Sequence, residues 1–215
     1  DLSKINKVKS TFKKYVSKNI VDKLLANEDS LNLGGTESDI TILFSDIRGF
    51  TSMSEKLSPT QIVKLLNKYF QSMINVVFKY NGTLDKIVGD ELMVLYGVPL
   101  KNPEDTENSV KTAIEMFIQL DKFNEKIVKD GFKPFEIGIG INKGKAVSGN
   151  IGSEQQMNYT VIGDTINLGA RLCSHAKSGE ILISRSVKEK ISKNYDFKKI
   201  PSIEVKGKRK PIDVW

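Results

Sequence analysis

Thr83-Leu84-Asp85-Lys86-Ile87-Val88-Gly89-Asp90-Glu91-Leu92-Met93-Val94-Leu95-Tyr96 is the stretch on which the fold turns. Two strand-like runs, Thr83–Val88 and Glu91–Tyr96, flank Gly89-Asp90, and a pair of turn-forming residues between such runs predicts a β-hairpin. Upstream, Ser58-Pro59-Thr60-Gln61 reads as a helix start, with Ser at the N-cap, Pro at N1 and Gln at N3. The helix it opens carries Ile62, Leu65, Leu66, Tyr69, Phe70, Met73, Val77 and Tyr80 on one face, and Asn81-Gly82 ends it. Before that helix, Asp39-Ile-Thr-Ile-Leu-Phe44 is a short apolar run of the buried-strand type. After the hairpin, Val110, Ile114, Phe117, Leu120 and Ile127 mark a second long amphipathic helix over 104–129. Phe135–Ile141 and Lys145–Asn150 then read as a strand pair around Lys143-Gly144. The order β-α-β-β-α-β predicts an α+β, ferredoxin-like sandwich, an antiparallel sheet with helices on one face.

A C-terminal extension follows this core. Asp164 reads as the N-cap of a helix over about 165–176, Ile181–Ser184 as a late strand, and 186–194 as a short helix. Ile203–Val205 and Pro211–Trp215 flank the basic turn Lys206-Gly-Lys-Arg-Lys210. At the other end, Phe12, Val16, Ile20 and Leu24 recur at helical spacing, so residues 3–26 predict a basic amphipathic helix. Asn32-Leu33-Gly34-Gly35-Thr36 reads as a flexible break. The expected organisation is an N-terminal linker and helical arm, 1–35, and a folded domain, 36–215. Asp1 in place of an initial Met suggests a piece of something longer.

The 215 residues suffice for one sizeable core. A single Cys and a single His exclude a disulfide framework and a His/Cys zinc site. No apolar run approaches the roughly 20 residues needed to span a bilayer, and no signal-peptide pattern opens the chain, so the expected location is the cytoplasm. The net charge of +7 is polarised. Residues 1–25 hold 7 basic and 2 acidic side chains, residues 185–215 hold 10 and 4, and the stretch between them holds 16 and 20. The Gly138-Ile-Gly-Ile-Asn-Lys-Gly144 run has neither the Rossmann nor the P-loop spacing, and reads as tight strand packing and a turn.

Spacing alone leaves the chemistry open. Asp46 stands where a buried-type strand ends, and Asp90 stands in the hairpin turn; one sheet can bring the two carboxylates together. Such a pair repels unless a divalent cation bridges it; Asp90 also reads as a plain turn former. Asn167 and Arg171 share one helix face at i, i+4. They suit either a sugar and a phosphoryl group or plain solvent. Cys173 and His175 lie close in sequence, with nothing else to support a reactive pair.

Longer blocks carry a resemblance. Leu43-Phe-Ser-Asp46-Ile47-Arg48-Gly-Phe-Thr51, Asp85-Lys86-Ile-Val-Gly-Asp90 and Tyr159-Thr160-Val-Ile-Gly-Asp164-Thr-Ile-Asn167-Leu-Gly-Ala-Arg171-Leu172 resemble three signature blocks of class III nucleotidyl cyclase catalytic domains, of the bacterial adenylate cyclase type. Val205-Lys206-Gly207-Lys208 is similar to the family's C-terminal lysine motif. The blocks run in order from about residue 38 to the end, and Tyr15 to Gly35 resembles the segment that joins such domains to an upstream sensor.

The resemblance implies an adenylate cyclase that makes 3′,5′-cyclic AMP and pyrophosphate from ATP, at sites shared across a head-to-tail homodimer. It implies that Asp46, Asp90 and the carbonyl of Ile47 hold two divalent cations, Mg2+ or Mn2+. From the partner protomer, Asn167 would orient the ribose and Arg171 would stabilise the transition state. Lys206, or Lys208 in its place, would reach the triphosphate. Lys86 and Thr160 would select adenine, a Lys donating to N1 and a hydroxyl accepting from the N6 amine. Two departures stand out: Gln155 and Gln156 are neutral where relatives often have a basic residue, and Gly169 replaces a frequent Ala. The alternatives are a catalytically silent nucleotide-binding regulatory domain, a guanylate cyclase, and a nucleic-acid-related two-metal protein. The last is the weakest, because the basic clusters lie away from the carboxylates, so neither nucleic acid nor membrane is an expected partner of this domain.

Overall fold

The structure, a computed structural model, describes Ser10, residues 20–22, 32–191, 195–204 and 211–215. The helix expected over 3–26 and the turn Lys206–Lys210 therefore lie largely outside the described residues, although Ile20 and Val21 are helical and buried.

The chain runs β1 (Gly34–Ile47), α1 (Phe50–Ser54), α2 (Pro59–Lys79), β2 (Thr83–Val88), β3 (Glu91–Tyr96), α3 (Asp105–Lys129), β4 (Ile137–Ser153), β5 (Gln156–Ile162), α4 (Asp164–His175), β6 (Ile181–Ile183), α5 (Arg185–Lys190), β7 (Ile200–Ile203) and β8 (Ile212–Val214). The main sheet has the order β2-β3-β1-β4-β5, with β6 beside the first half of β4. Its first four strands are antiparallel throughout, and with α2 and α3 they make the β-α-β-β-α-β sandwich that the sequence predicts.

Local chemistry explains α2. Ser58 accepts from the Gln61 amide and Gln61 Oε1 accepts from the Ser58 amide, a complete capping box with Pro59 at N1. At the other end Asn81 is left-handed (φ 59), and the Asn81 and Gly82 amides donate back to Phe78 and Val77. One face of the sheet packs on α2 and α3, through Leu43, Ile47, Val94, Tyr69, Met73, Met116 and Phe123 among others. The opposite face is covered as well, by α4: Ile40, Ile42, Phe44 and Leu95 meet Cys173, Ile166 and Ala170. The two core helices thus lie on one face as expected, while α4 of the C-terminal extension covers the other. Burial on both sides is why β1 reads as a largely apolar run rather than a strict alternation.

Three further readings change. Gly34-Gly35-Thr36 is not a break but the start of the 14-residue β1, paired with Ser148–Asn150 of β4. The Lys143-Gly144 turn does not exist. β4 is one strand of 17 residues, paired with β1 from Ile137 to Asn150. The hairpin comes later, between Ser153 and Gln156, and delivers β5, which the sequence reading passed over. Asp164 is the first residue of α4 rather than its cap; Gly163 holds the N-cap position without a side-chain bond.

Gly140 makes the α4 packing possible. A Cβ there would strike the Cys173 amide nitrogen and come within 2.7 Å of the Gly169 carbonyl oxygen. Helix backbone therefore lies directly on strand backbone.

Candidate active site

Ser45 lies opposite Leu92 in the β1–β3 ladder, so the next residue of β1, Asp46, stands beside the β2–β3 turn that carries Asp90. The two carboxyl groups interact. Burial, then the Asp46 charge and a hydrogen bond with Asp46, push the Asp90 carboxyl up to about 6, against backbone hydrogen bonds at Asp90 and Ile47. Glu91 is raised too, by burial and by the same two carboxylates. Beneath them Ser45 and Tyr69 are buried, and neither hydroxyl has a hydrogen-bond partner of adequate geometry.

Arg48 balances part of this charge. Its Nη1 donates to Asp46 Oδ2 at 2.9 Å, and its Nη2 donates to the Cys173 carbonyl of α4. Its guanidinium lies over Gly138, where a Cβ would collide with it. The end of β1 is thereby tied to α4. Among the described residues no three His, Cys, Asp or Glu side chains cluster as metal ligands. The donors available are the two carboxylates and neighbouring backbone oxygen. An all-oxygen set whose like charge Arg48 relieves only in part fits a hard divalent cation.

A second cluster forms where the curled sheet brings β2 to β5. Lys86 Nζ donates to Thr160 Oγ1 at 3.3 Å, Thr160 Oγ1 donates to Asp85 Oδ2 at 3.1 Å, and Lys86 and Asp85 pair at 3.2 Å. The Asp85 side chain is fully buried and its Oδ1 has no partner. Burial raises the Asp85 carboxyl, while Lys86 and Thr160 hold it down. Sequence reasoning named Lys86 and Thr160 and missed Asp85, whose burial and aim depend on the register shift between Leu84 and Lys86.

Asn167 is exposed and Arg171 half-buried on α4. Arg171 offers its backbone carbonyl to Ser174 and His175. Lys206 and Lys208 lie outside the described residues. Gln155 and Gln156 are exposed at the β4–β5 turn. Cys173 is buried, and loss of solvent pushes its thiol up to about 12, so no reactive pair with exposed His175 forms. The Gly169 departure also has a reason. A Cβ there would come within 2.9 Å of Ile42 Cγ2 and 3.2 Å of the Phe44 ring.

An α+β sandwich with a carboxylate pair at the end of its first strand, and a Lys-Thr-Asp cluster joining β2 to β5, defines a class of polar site at a sheet rim. Residues 35–215 match the adenylate and guanylate cyclase catalytic domain family, and the chain belongs to that family. It is 32% identical to an adenylate cyclase of Anabaena cylindrica over 99% of this chain and 44% of that protein. It is 28% identical to adenylate cyclase 1 of Rhizobium meliloti, over 95% of this chain and 31% of that one. The chain thus spans less than half the length of these curated relatives. Among solved structures it is similar to the guanylyl cyclase Cya2 (39% identity, TM-score 0.82, 85% of this chain and 93% of that one). The adenylyl cyclase CyaB from P. aeruginosa is similar to the same degree (37%, TM-score 0.82, 85% and 94%). No helix among the described residues is long and apolar enough to cross a membrane.

Proposed function

We propose that the chain is an adenylate cyclase domain that converts ATP to 3′,5′-cyclic AMP and pyrophosphate as a homodimer, downstream of a sensor in a longer cytoplasmic or membrane-tethered protein. The observation that carries the reading is the Lys86–Thr160 contact at 3.3 Å. It joins side chains 74 positions apart in sequence, and offers a donor and an acceptor side by side, as the adenine edge requires.

In this reading Asp46, Asp90 and the Ile47 carbonyl hold two divalent cations, Mg2+ or Mn2+. Bound there, the ions supply an acidified 3′-hydroxyl and neutralised β- and γ-phosphates. The partner protomer's copies of the remaining residues complete the site. Lys86 donates to N1 and Thr160 accepts from the N6 amine. Asn167 orients the ribose, and Lys206 reaches the triphosphate. Arg171 stabilises charge on the α-phosphoryl as the 3′-oxygen attacks phosphorus and pyrophosphate leaves; losing such a group costs on the order of 10²–10³ in rate. Exposed apolar side chains support a subunit interface near the two clusters: Val88 is 59% exposed and Ile162 56%.

A GTP-using enzyme is the second reading, favoured by the 39% identity to the guanylyl cyclase Cya2. Incubation with ATP and with GTP in Mn2+, across a range of protein concentration, decides between them. We expect cyclic AMP in excess, with a rate per protomer that rises with concentration, and none from Asp46→Ala. Binding of ATP without turnover would identify a silent regulatory domain instead.

A further inference from the structure

We infer that Asp85 is the positioning residue that sets base preference, by taking the Thr160 hydroxyl proton so that Thr160 can offer the nucleobase only a lone pair. The inference rests on the reading of Lys86 and Thr160 as the base-contacting pair.

Neighbouring residues of a strand ordinarily point to opposite faces. Asp85 and Lys86 break that rule, and both reach the same hydroxyl on β5. The cause is local: the β2–β3 register shifts between Leu84 and Lys86, and such a bulge re-aims a side chain. The Asp85 carboxylate ends fully buried with Oδ1 unpartnered, an arrangement that costs the fold its hydration. A carboxylate placed at that cost, behind the pair proposed to read the base, calls for a role beyond holding two strands together.

Hydrogen-bond arithmetic supplies one. A Thr hydroxyl has one proton and two lone pairs, and by rotation it serves either donor or acceptor. Here the proton goes to Asp85 Oδ2 and one lone pair takes an N–H of Lys86. One lone pair remains. Lys86 has three N–H groups and directs two inward, to Asp85 and Thr160, so one remains. The cluster thus shows one acceptor and one donor outward, and adenine presents an N6 amine and a bare N1. Guanine presents O6 and N1–H in the same places, the opposite polarity. A Thr160 free to rotate could donate to O6; with an acceptor-only carboxylate behind it, it cannot.

The test measures kcat/KM for ATP and GTP, together with competition by each nucleotide against a fluorescent ATP analogue, for wild type, Asp85→Asn, Thr160→Val and the double variant. An amide can donate to Thr160 and release its proton, so Asp85→Asn should shift the GTP:ATP ratio toward GTP by about tenfold, the scale of one mispolarised hydrogen bond. In Thr160→Val there is no proton to place, and adding Asp85→Asn should leave the ratio unmoved. Asp85→Glu, which keeps an acceptor-only group, should retain more of the ATP preference than Asp85→Asn. Asp85→Ala gives the same test should the amide variant fail to fold. An ATP-preferring wild type whose ratio survives both Asp85→Asn and Asp85→Ala overturns the inference and leaves the proposed function standing. A wild type that prefers GTP overturns both.

Discussion

At the scale of single residues, the carboxylate pair makes a prediction with a definite sign. Asp90 has its carboxyl raised to about 6, so the folded protein holds a proton there that the unfolded chain gives up near pH 4. Stability from this group is therefore greatest below about pH 4 and falls as pH rises through about 6, above which the whole penalty is in force. Without metal, Asp90→Asn should be more stable than wild type at pH 7.5. Because the group is partly solvated, screening keeps the gain to about 1 kcal/mol, or roughly 2–4 °C in melting temperature. At pH 4 the difference should vanish. Added Mn2+ should raise the melting temperature of the wild type and not of the variant. Melts in chelator and in Mn2+ at the two pH values check this, and a variant no more stable than wild type in chelator at pH 7.5 would contradict it.

At the scale of elements, two glycines separate packing from propensity. Gly140→Ala would press a methyl group into the backbone of α4, at the Cys173 amide and the Gly169 carbonyl. Backbone cannot step aside as a side chain can, so a loss of about 1–3 kcal/mol is expected, with α4 and its Asn167 and Arg171 displaced. Gly169→Ala meets the ends of Ile42 and Phe44 instead, and gains roughly 1 kcal/mol of helix propensity. It should be close to neutral in urea melts and keep its activity, whereas Gly140→Ala loses both. The contrast also marks what a sequence shows. α2 and the β2–β3 hairpin were legible because their signals are local: a capping box, an apolar period, Gly89-Asp90. β4 misled because Lys143-Gly144 looks like a turn when read alone. What keeps it a strand is β1, which runs alongside from Ile137 to Asn150 and lies about a hundred positions away. β5 was passed over because its residues stay mostly half-exposed or exposed and give no clean apolar alternation. Lys86 and Thr160 were found through motif blocks, but Asp85 acts through a bulge, and nothing in the local sequence announces one.

At the scale of the whole molecule, the question is whether one protomer holds a complete site. Arg48 ties the Asp46 end of β1 to α4, so within a protomer the carboxylate pair and the Asn167/Arg171 helix form one rigid unit. In the proposed homodimer that unit serves two different sites, giving its carboxylates to one and its Asn167 and Arg171 to the other. Complementation then has a calculable outcome. Asp46→Ala and Arg171→Ala should each be nearly inactive alone, since every homodimer carries the defect in both sites. Mixed and allowed to exchange, half the dimers pair one variant with the other. In each mixed dimer one site takes Asp46 from the Arg171→Ala protomer and Arg171 from the Asp46→Ala protomer, and is intact; the other collects both defects. Equal mixing should therefore restore about a quarter of the wild-type rate per protomer, as two-fold symmetry dictates. A site built within one protomer would restore nothing at any ratio, and sedimentation of the same mixture would show whether dimers had formed to give it the chance.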